Sequence, residues 1–457
     1  MPLSENPAPN ANLVSPPARV SILFSERLNA AASRILVVDN VNHEVDRRDS
    51  HVLGDGVTMV VSLETLPPGT YVVFWRSTSA DDGHIASMSY IFHVERADAT
   101  VPPLTGPLPS NDLPGGNGAS LDAPALIATL AQAISLLALT LILGGIFWRW
   151  IVMPRQPGYA PTLSQPLAQR FDRAWRMALW AMLGAIVVQV LAQVVELGGS
   201  LASIFTFDLY SDILFQSQFG FFTILQLVLA VDGIIWLYSQ EFRRSNSRSR
   251  YIEIAFGVVL AITFVFGGHG AATTLAWAPF VDLVHVVAEG IWVGGLLTLA
   301  LVILPDLMEQ DPTCSATSHY VAKSVPAFSL PALASVGLLA ATGPLNASVR
   351  MTSFSQLWTT GYGIVLLIKI ALFVAMALIS YDHAFRLRPR LAKQLAALSI
   401  EQAKPPSKNS VRARQEAARR RVQDLALGIA SRLRVEAGVG AGVVVCAAFL
   451  AALSGTL

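Results

Sequence analysis

The chain has 457 residues, of which 53% are hydrophobic and only 14% carry a charged side chain. Its mean hydropathy is +0.52, which indicates a membrane protein and excludes an ordinary soluble domain. The net charge is +1 and no basic stripe alternates with aromatic residues, so nucleic acid is excluded as a partner. Cys314 and Cys446 are too far apart in the chain to suggest a CxxC metal site or a disulfide framework.

Residues 1–96 contain short segments in which apolar and polar residues alternate, separated by turn signals such as GDG and PPG. This pattern predicts an N-terminal all-β sandwich of the Ig-like or cupredoxin-like type. The predicted strands are residues 19–24, 33–39, 57–63, 70–77 and 87–95. Residues 97–121 are rich in Pro, Gly and Asn and are predicted to form a weakly ordered linker.

Residues 122–457 contain long apolar runs, each able to cross a hydrocarbon layer that needs roughly 20 residues. We therefore predict an all-α polytopic bundle of eight transmembrane helices. The runs lie near residues 123–152, 174–196, 218–239, 251–270, 279–304, 325–349, 359–383 and 435–456.

The distribution of Lys and Arg predicts the orientation of these helices, because basic loops stay cytoplasmic. Four arginines follow the third run, and residues 384–434 form a strongly basic loop before the last run. The β domain and the C-terminus are then extracytoplasmic. No secretory signal is visible at the start of the sequence, so we expect it to have been removed or to lie outside this sequence.

The stretch from Phe266 to Trp292 concentrates ionisable residues within two apolar runs. Asp282, His285, Glu289 and Trp292 recur at intervals of three, four and three residues, which places them on one face of a helix. His269 lies on the preceding run, and a short hairpin would bring its imidazole towards that of His285. Ionisable groups in a bilayer are costly unless they are paired or wet, so this stripe indicates an ion or proton site. A pair of interhelical hydrogen bonds is the structural alternative.

Two further charged residues, Asp232 and Lys369, lie inside the third and seventh runs. We interpret them as a buried ion pair, with a structural role at least as well supported as proton relay. Prolines and glycines in the sixth run predict a kink or a break. There Thr342 and Asn346 are expected to satisfy the freed backbone groups.

The segment WRSTSADDGH places Asp82 and His84 two residues apart, so that in an extended chain both side chains point the same way. Alone, this motif favours a plain turn. Together with PPARVSILFSERL, LPPGTYVVFWRSTSADDGH and FHV, it resembles the CopC-type periplasmic copper-binding fold. The apolar half, with FGGHG, DLVHVVAEGIWVGGL, VPAFS, GYGIVLLIK and LRVEAG, is similar to the CopD-type membrane domain. Over nearly its whole length the chain thus resembles a CopC–CopD fusion.

The resemblance implies a bacterial copper-handling protein, with Asp82 and His84 as Cu(II) ligands in the outer domain. The family's third ligand, a histidine at the mature N-terminus, is missing here. We expect the mature protein to start one or two residues earlier with that histidine, and Cu(II) binding without it to be weak. Met88 stands where the family usually has Gly; its thioether suits Cu(I), but filling the sandwich core is the favoured role.

The sequence therefore predicts a non-enzymatic copper transport protein of the bacterial cytoplasmic membrane, and the resemblance to the CopC–CopD fusion implies import. Copper would pass from Cu(II) at the outer pair to the two membrane histidines as Cu(I) or Cu(II), with Asp282 and Glu289 tuning charge and proton release. The expected partners are copper, the lipid bilayer and a periplasmic copper chaperone. The alternatives are a haem-binding, cytochrome-b-like electron carrier and a copper sensor or delivery scaffold that does not transport.

Overall fold

The computed structural model describes residues 2–41, 43–80, 85–96, 98, 100, 123–155, 165–239, 247–267, 275–310, 315–351, 353–403 and 409–453. Within these ranges the chain forms a β-sandwich followed by a helical region. The predicted succession of an all-β domain and an all-α domain is therefore confirmed.

The sandwich contains two four-stranded sheets. The first has the order β1 (Pro2–Asn6), β3 (Arg19–Phe24), β6 (Thr58–Ser62) and β5 (His51–Val52), and the second has the order β2 (Asn12–Leu13), β8 (Ile85–Val94), β7 (Gly69–Thr78) and β4 (Arg34–Asp39). All pairs are antiparallel except β2 with β8. All five predicted strands are present, whereas β1, β2 and β5 were missed because edge strands this short show little alternation.

The two sheets bury an aromatic and aliphatic core between them. Trp75 is 1% exposed and packs edge-on against Phe24, with ring centroids 5.2 Å apart. Tyr71 stacks on Phe92 at 5.4 Å. Buried residues alternate with partly exposed ones along β3, whereas β7 is buried on both faces over most of its length.

Thirteen α-helices follow among the described residues. They are α1 (Ala123–Phe147), α2 (Gln165–Gly198), α3 (Phe207–Phe215), α4 (Gln218–Tyr238), α5 (Ser247–Phe266), α6 (Ala278–Glu289), α7 (Gly295–Thr298), α8 (Leu304–Gln310), α9 (Ser315–Ser348), α10 (Gln356–Thr359), α11 (Gly361–Asp382), α12 (Arg388–Gln402) and α13 (Asn409–Ala452). Wider π-helical turns join α6 to α7 (Gly290–Gly294) and α7 to α8 (Leu299–Ile303), so α6, α7 and α8 form one helical rod.

Eight helical segments in the described part are long and apolar enough to span a membrane. They are Ala123–Val152, Pro166–Gly198, Gln218–Tyr238, Ser249–Phe266, Ala278–Glu309, Ala327–Ser348, Gly361–Gln402 and Val411–Ala452. The predicted eight-helix bundle is confirmed, and the chain is a multi-pass membrane protein.

The basic stretch predicted as a loop over residues 384–434 is largely helical. It comprises α12 and the first part of α13, and α13 then continues without interruption into the last span. Leu391, Leu398 and Val422 from this stretch belong to the core of the bundle. Apolar residues at helical spacing lie between the arginines, so these helices bury one face and expose their charge on the other. The sixth run differs as well, because α9 is a continuous helix in spite of its prolines.

The β-sandwich contacts one end of the helical region. Ala32 enters an apolar cluster with four residues of α2, α3 and α4, namely Val194, Leu197, Ile213 and Phe219. Arg76 donates from Nη1 to the carbonyl oxygen of Leu197 at 2.9 Å, and Asn29 donates to that of Asp212 at 3.2 Å. Because these contacts combine buried apolar surface with side-chain hydrogen bonds, they give the sandwich a defined position over this end.

Candidate metal centre

Three spans contribute polar side chains at a similar depth, measured from the end that faces the β-sandwich. His285 lies seven residues into α6, Thr342 six residues from the end of α9, and Lys369 eight residues into α11. At a rise of 1.5 Å per residue these depths are roughly 10, 9 and 12 Å. Arg350, just after α9, interacts electrostatically with Glu26 of the sandwich, which identifies the same end for that helix.

The imidazole of His285 is held by the hydroxyl of Thr342, with Nδ1 and Oγ1 2.7 Å apart. The same hydroxyl lies 2.7 Å from the carbonyl oxygen of Leu338, which accepts only. A hydroxyl has one proton, so Thr342 donates to Leu338 and accepts from Nδ1–H of His285. The lone pair of His285 is then on Nε2, in the tautomer that ligates a metal ion through that nitrogen.

The two carboxylates that flank His285 on α6 are each bound by a polar side chain of another helix. Asn346 of α9 donates from Nδ2 to Oδ1 of Asp282 at 2.9 Å. Glu289 is 7% exposed, and the hydroxyl of Thr140 on α1 hydrogen-bonds to its carboxyl group. Asp282, His285 and Glu289 therefore share one face of α6, as their spacing predicts, and that face is buried between α1 and α9.

Lys369 of α11 is the basic residue of this cluster. It interacts electrostatically with Asp282, His285 and Glu289. The predicted pair between Lys369 and Asp232 is wrong, because Asp232 is exposed on the surface of α4 while Lys369 faces α6. Apolar flanking residues gave the sequence no means of telling an outward-facing aspartate from a buried one.

The close approach of α1 to the rod that starts with α6 explains how Thr140 reaches Glu289. A Cβ atom on Gly144 would lie 1.9 Å from the carbonyl carbon of Gly294, and one on Gly294 would lie 2.0 Å from the carbonyl oxygen of Thr140. Only glycine permits two helices to approach so closely. The π-helical turn from Gly290 begins directly after Glu289, a distortion often found at functional positions.

Three predicted ligands, Asp82, His84 and His269, lie outside the described residues, so their predicted roles stay predictions. Met88 is described, and it is 49% exposed on β8, so its predicted place in the sandwich core is wrong. Met88 has the same parity along β8 as the buried Phe92 and Val94, so alternation alone predicts an inward side chain, yet its exposure shows that it is not packed into the core.

Three site residues were missed or misinterpreted from the sequence. Thr342 and Asn346 were expected to satisfy backbone groups of a broken helix, but their side chains bind His285 and Asp282. Thr140 gave no signal, since a threonine inside an apolar helix usually bonds its own backbone. The four-residue spacing of Thr342 and Asn346 was a usable signal, because it places both on one face of α9.

The chemistry of this cluster suits a cation. One imidazole with a free Nε2 and two carboxylates supply nitrogen and oxygen donors for an intermediate metal ion such as copper. Among the described residues, no three His, Cys, Asp or Glu side chains converge closely enough to hold a metal ion by themselves. His285 is thus a single preorganised ligand, with the carboxylates of Asp282 and Glu289 about one helical turn away on the same face of α6.

Fold and site together define a multi-pass membrane protein that carries a β-sandwich over a polar cluster buried in its spans. Three family models match the chain in succession: CopC domain over residues 3–95, Copper resistance protein D-like N-terminal domain over residues 121–277, and Copper resistance protein D over residues 322–450. The chain therefore joins a CopC domain to a membrane region of the copper resistance protein D type.

Similar curated proteins come from two bacteria. Copper transport protein CutJ of Bacillus subtilis is 26% identical over 392 residues, which are 83% of this chain and 66% of CutJ. The chain therefore spans slightly less than two thirds of that relative. Inner membrane protein YebZ of Escherichia coli is 27% identical over 237 residues, which are 50% of this chain and 76% of YebZ.

Solved structures match the N-terminal part. CopC from Methylosinus trichosporium OB3b is 25% identical with a TM-score of 0.20, and the match covers 21% of this chain and 91% of CopC. PcoC, a copper resistance protein from Escherichia coli, is 27% identical with a TM-score of 0.19, covering 21% of this chain and 99% of PcoC.

Proposed function

We propose that this protein carries copper inward across the bacterial cytoplasmic membrane, with the β-sandwich capturing the ion outside. The observation that carries the proposal is the imidazole of His285, which Thr342 holds with Nε2 free for a metal ion. A ligand fixed in this tautomer, beside two carboxylates and inside a membrane helix, is costly to maintain unless it serves an ion.

The distribution of basic residues supports an orientation in which the end of the bundle opposite the β-sandwich faces the cytoplasm. Arginines of α12 and of the first half of α13 lie at the end opposite the β-sandwich, and many of them are exposed. Basic segments of this kind are retained on the cytoplasmic side. The sandwich and the His285 cluster then face the extracytoplasmic side, where a periplasmic chaperone is a suitable source of copper.

Residues next to the predicted ligands are linked by one glutamine at the top of α4. The backbone N–H of Gln218 donates to the carbonyl oxygen of Ala80 at 2.8 Å, and its side-chain amide donates to that of Phe266 at 3.0 Å. Ala80 precedes Asp82 by two residues, and Phe266 precedes His269 by three. This linkage supports a path from the Asp82 and His84 pair through His269 to His285.

Copper uptake into proteoliposomes tests the proposal. We expect the double variant His269→Ala/His285→Ala to lose uptake by about tenfold or more, the scale on which ligand geometry controls metal affinity. His51→Ala is the matched control, because His51 is an exposed histidine of β5, remote from the helical cluster, and its loss should leave uptake unchanged. Uptake by the double variant at the wild-type rate would refute the path.

Two rival functions give different results in the same preparation. A copper sensor or delivery scaffold would bind copper in detergent and show no uptake into vesicles. A cytochrome-b-like carrier would show a strong Soret band in the absorption spectrum of the purified protein, since two axial histidines would hold haem. Uptake without a Soret band supports transport.

A further inference from the structure

A second buried ionisable pair lies near the opposite end of the bundle, where α11 meets α13. Nδ1 of His383 is 2.9 Å from Oε2 of Glu436, and the two residues are 6% and 1% exposed. The hydroxyl of Ser380 donates to the other carboxylate oxygen of Glu436. Neither ring nitrogen of His383 makes a hydrogen bond of ordinary geometry within the described part of the chain.

The arginines around this pair do not form ion pairs with its carboxylate. Arg432 of α13 and Arg386 of the π-helical turn that follows α11 both pair with Asp382 on the exposed side, at 2.8 and 3.5 Å. Nη2 of Arg434 on α13 lies 3.3 Å from the sulfur of Met308. None of these three arginines pairs with Glu436, whose carboxylate faces the imidazole of His383. A buried imidazole with a free Nε2 next to a buried carboxylate is a donor set for a cation, and leaving such groups unmatched is unfavourable.

The local backbone is distorted at the same position. A π-helical turn begins at His383 and continues to Leu387, where α11 passes into α12. Such turns inside long helices are rare and often occur at functional positions, because they change the direction in which one side chain projects. The rod containing Glu289 has its π-helical turn beside the outer cluster in the same way.

Sulfur side chains line the interval between the two clusters. Lys369, Met376 and His383 follow each other at seven-residue spacing, so they lie on one face of α11, and the interval from Lys369 to His383 is roughly 21 Å. Met376 is fully buried, and a Cβ atom on Gly440 of α13 would lie 3.1 Å from its sulfur. Cys446, also on α13, interacts electrostatically with Lys369. Thioether and thiol groups are the soft ligands that Cu(I) prefers.

We propose that His383 and Glu436 form an inner Cu(I) site, which receives the ion from the His285 cluster along the seam of α11 and α13. This inference rests on the proposed transport of copper. The imidazole of His383 is the ligand that suits copper, and the carboxylate of Glu436 next to it balances the charge of the bound ion. A weak site of this kind binds the ion in transit and releases it to the cytoplasmic side.

Cu(I) binding to the full-length protein in detergent tests the inner site, using a chromophoric Cu(I) chelator as competitor. We expect His383→Ala to bind one Cu(I) fewer than wild type, and Glu436→Gln to bind the same ion about tenfold more weakly. His51→Ala is the control for loss of an unrelated histidine. If His383→Ala does not fold, judged by gel filtration and circular dichroism, His383→Gln replaces it. Unchanged stoichiometry and affinity in the folded variant would overturn the inner site.

Copper uptake into vesicles tests whether the ion moves between α11 and α13 past Met376. Met376→Leu keeps the volume of a buried side chain and removes the thioether, so the fold should be retained. We expect slower uptake with an unchanged number of bound Cu(I) ions, and uptake at the wild-type rate would exclude Met376 from the route.

The two proposals fail in different ways. If wild type shows no uptake but His383→Ala still loses one Cu(I), transport is wrong and the inner site stands. If uptake and binding are both unaffected by His383→Ala, the inner site is wrong while transport stands.

Discussion

Replacing Thr342 with Val tests whether the membrane site is preorganised by a single hydroxyl. Valine keeps the shape of the side chain, which is only 7% exposed, and removes the oxygen that lies 2.7 Å from Nδ1 of His285. His285 then either keeps its proton on Nδ1 without a partner or moves it to Nε2. The first is a buried unsatisfied donor, and the second blocks the nitrogen that would bind copper.

The expected size of the effect follows from that choice. A buried donor without a partner costs about 1–3 kcal/mol. At about 1.4 kcal/mol per factor of ten, Cu(I) affinity at the membrane site should fall by about five- to 140-fold. Residues that orient a metal-binding histidine typically change affinity by about 10–100-fold, which agrees with this range.

Competition with a Cu(I) chelator on the full-length protein measures this affinity. Thr342→Ser is the matched control, since it keeps the hydroxyl and should bind Cu(I) within about twofold of wild type, losing mainly packing energy of about 1 kcal/mol. The reasoning is refuted if the valine variant is folded and binds Cu(I) as tightly as the serine variant. His285 would then need no fixed tautomer.

Two further predictions concern the position of the β-sandwich and the charge of the outer cluster. Ala32→Glu places an unpaired carboxylate against Val194, Leu197 and Ile213, and should weaken docking by about 3 kcal/mol or more. Hydrogen exchange of α3 should become faster than in the Ala32→Ser control; equal exchange would mean that this contact does not hold the sandwich. Lys369→Met removes the cation of the cluster, so copper should bind about tenfold more tightly and leave more slowly. Binding and uptake measured together would show opposite changes, and a parallel decrease in both would contradict this account.

The fold was predictable because its two domains have different sequence patterns: short strand-like segments in the first and long apolar runs in the second. Short segments rich in β-branched and aromatic residues, as in β3, β6 and β7, and apolar runs long enough for a membrane are both features of the local sequence. The burial of one face of the helix over residues 409–434 was missed because the arginines dominate the pattern. Their apolar neighbours, such as Val422 and Leu433, show helical spacing and are buried in the bundle.

The site was predictable only along a single helix. The spacing of Asp282, His285 and Glu289 places them on one face of a helix, and this holds independently of the tertiary structure. The partners from other helices depend on tertiary packing, which no local pattern records. Thus Lys369 was paired with the wrong aspartate, and the inner pair of His383 and Glu436 went unnoticed because its members are 53 residues apart in the sequence.

The charges of the outer cluster favour a monovalent ion as its cargo. Counted by formal charge, with histidine taken as neutral, Asp282, Glu289 and Lys369 give the cluster one net negative charge. Binding of Cu(I) brings the total to zero, whereas Cu(II) leaves one uncompensated positive charge within the spans. An uncompensated buried charge costs several kcal/mol. The same formal count gives the pair of His383 and Glu436 one negative charge. An ion that neutralises both clusters in turn meets a similar electrostatic environment at each, and this similarity permits movement from one to the other without a deep trap.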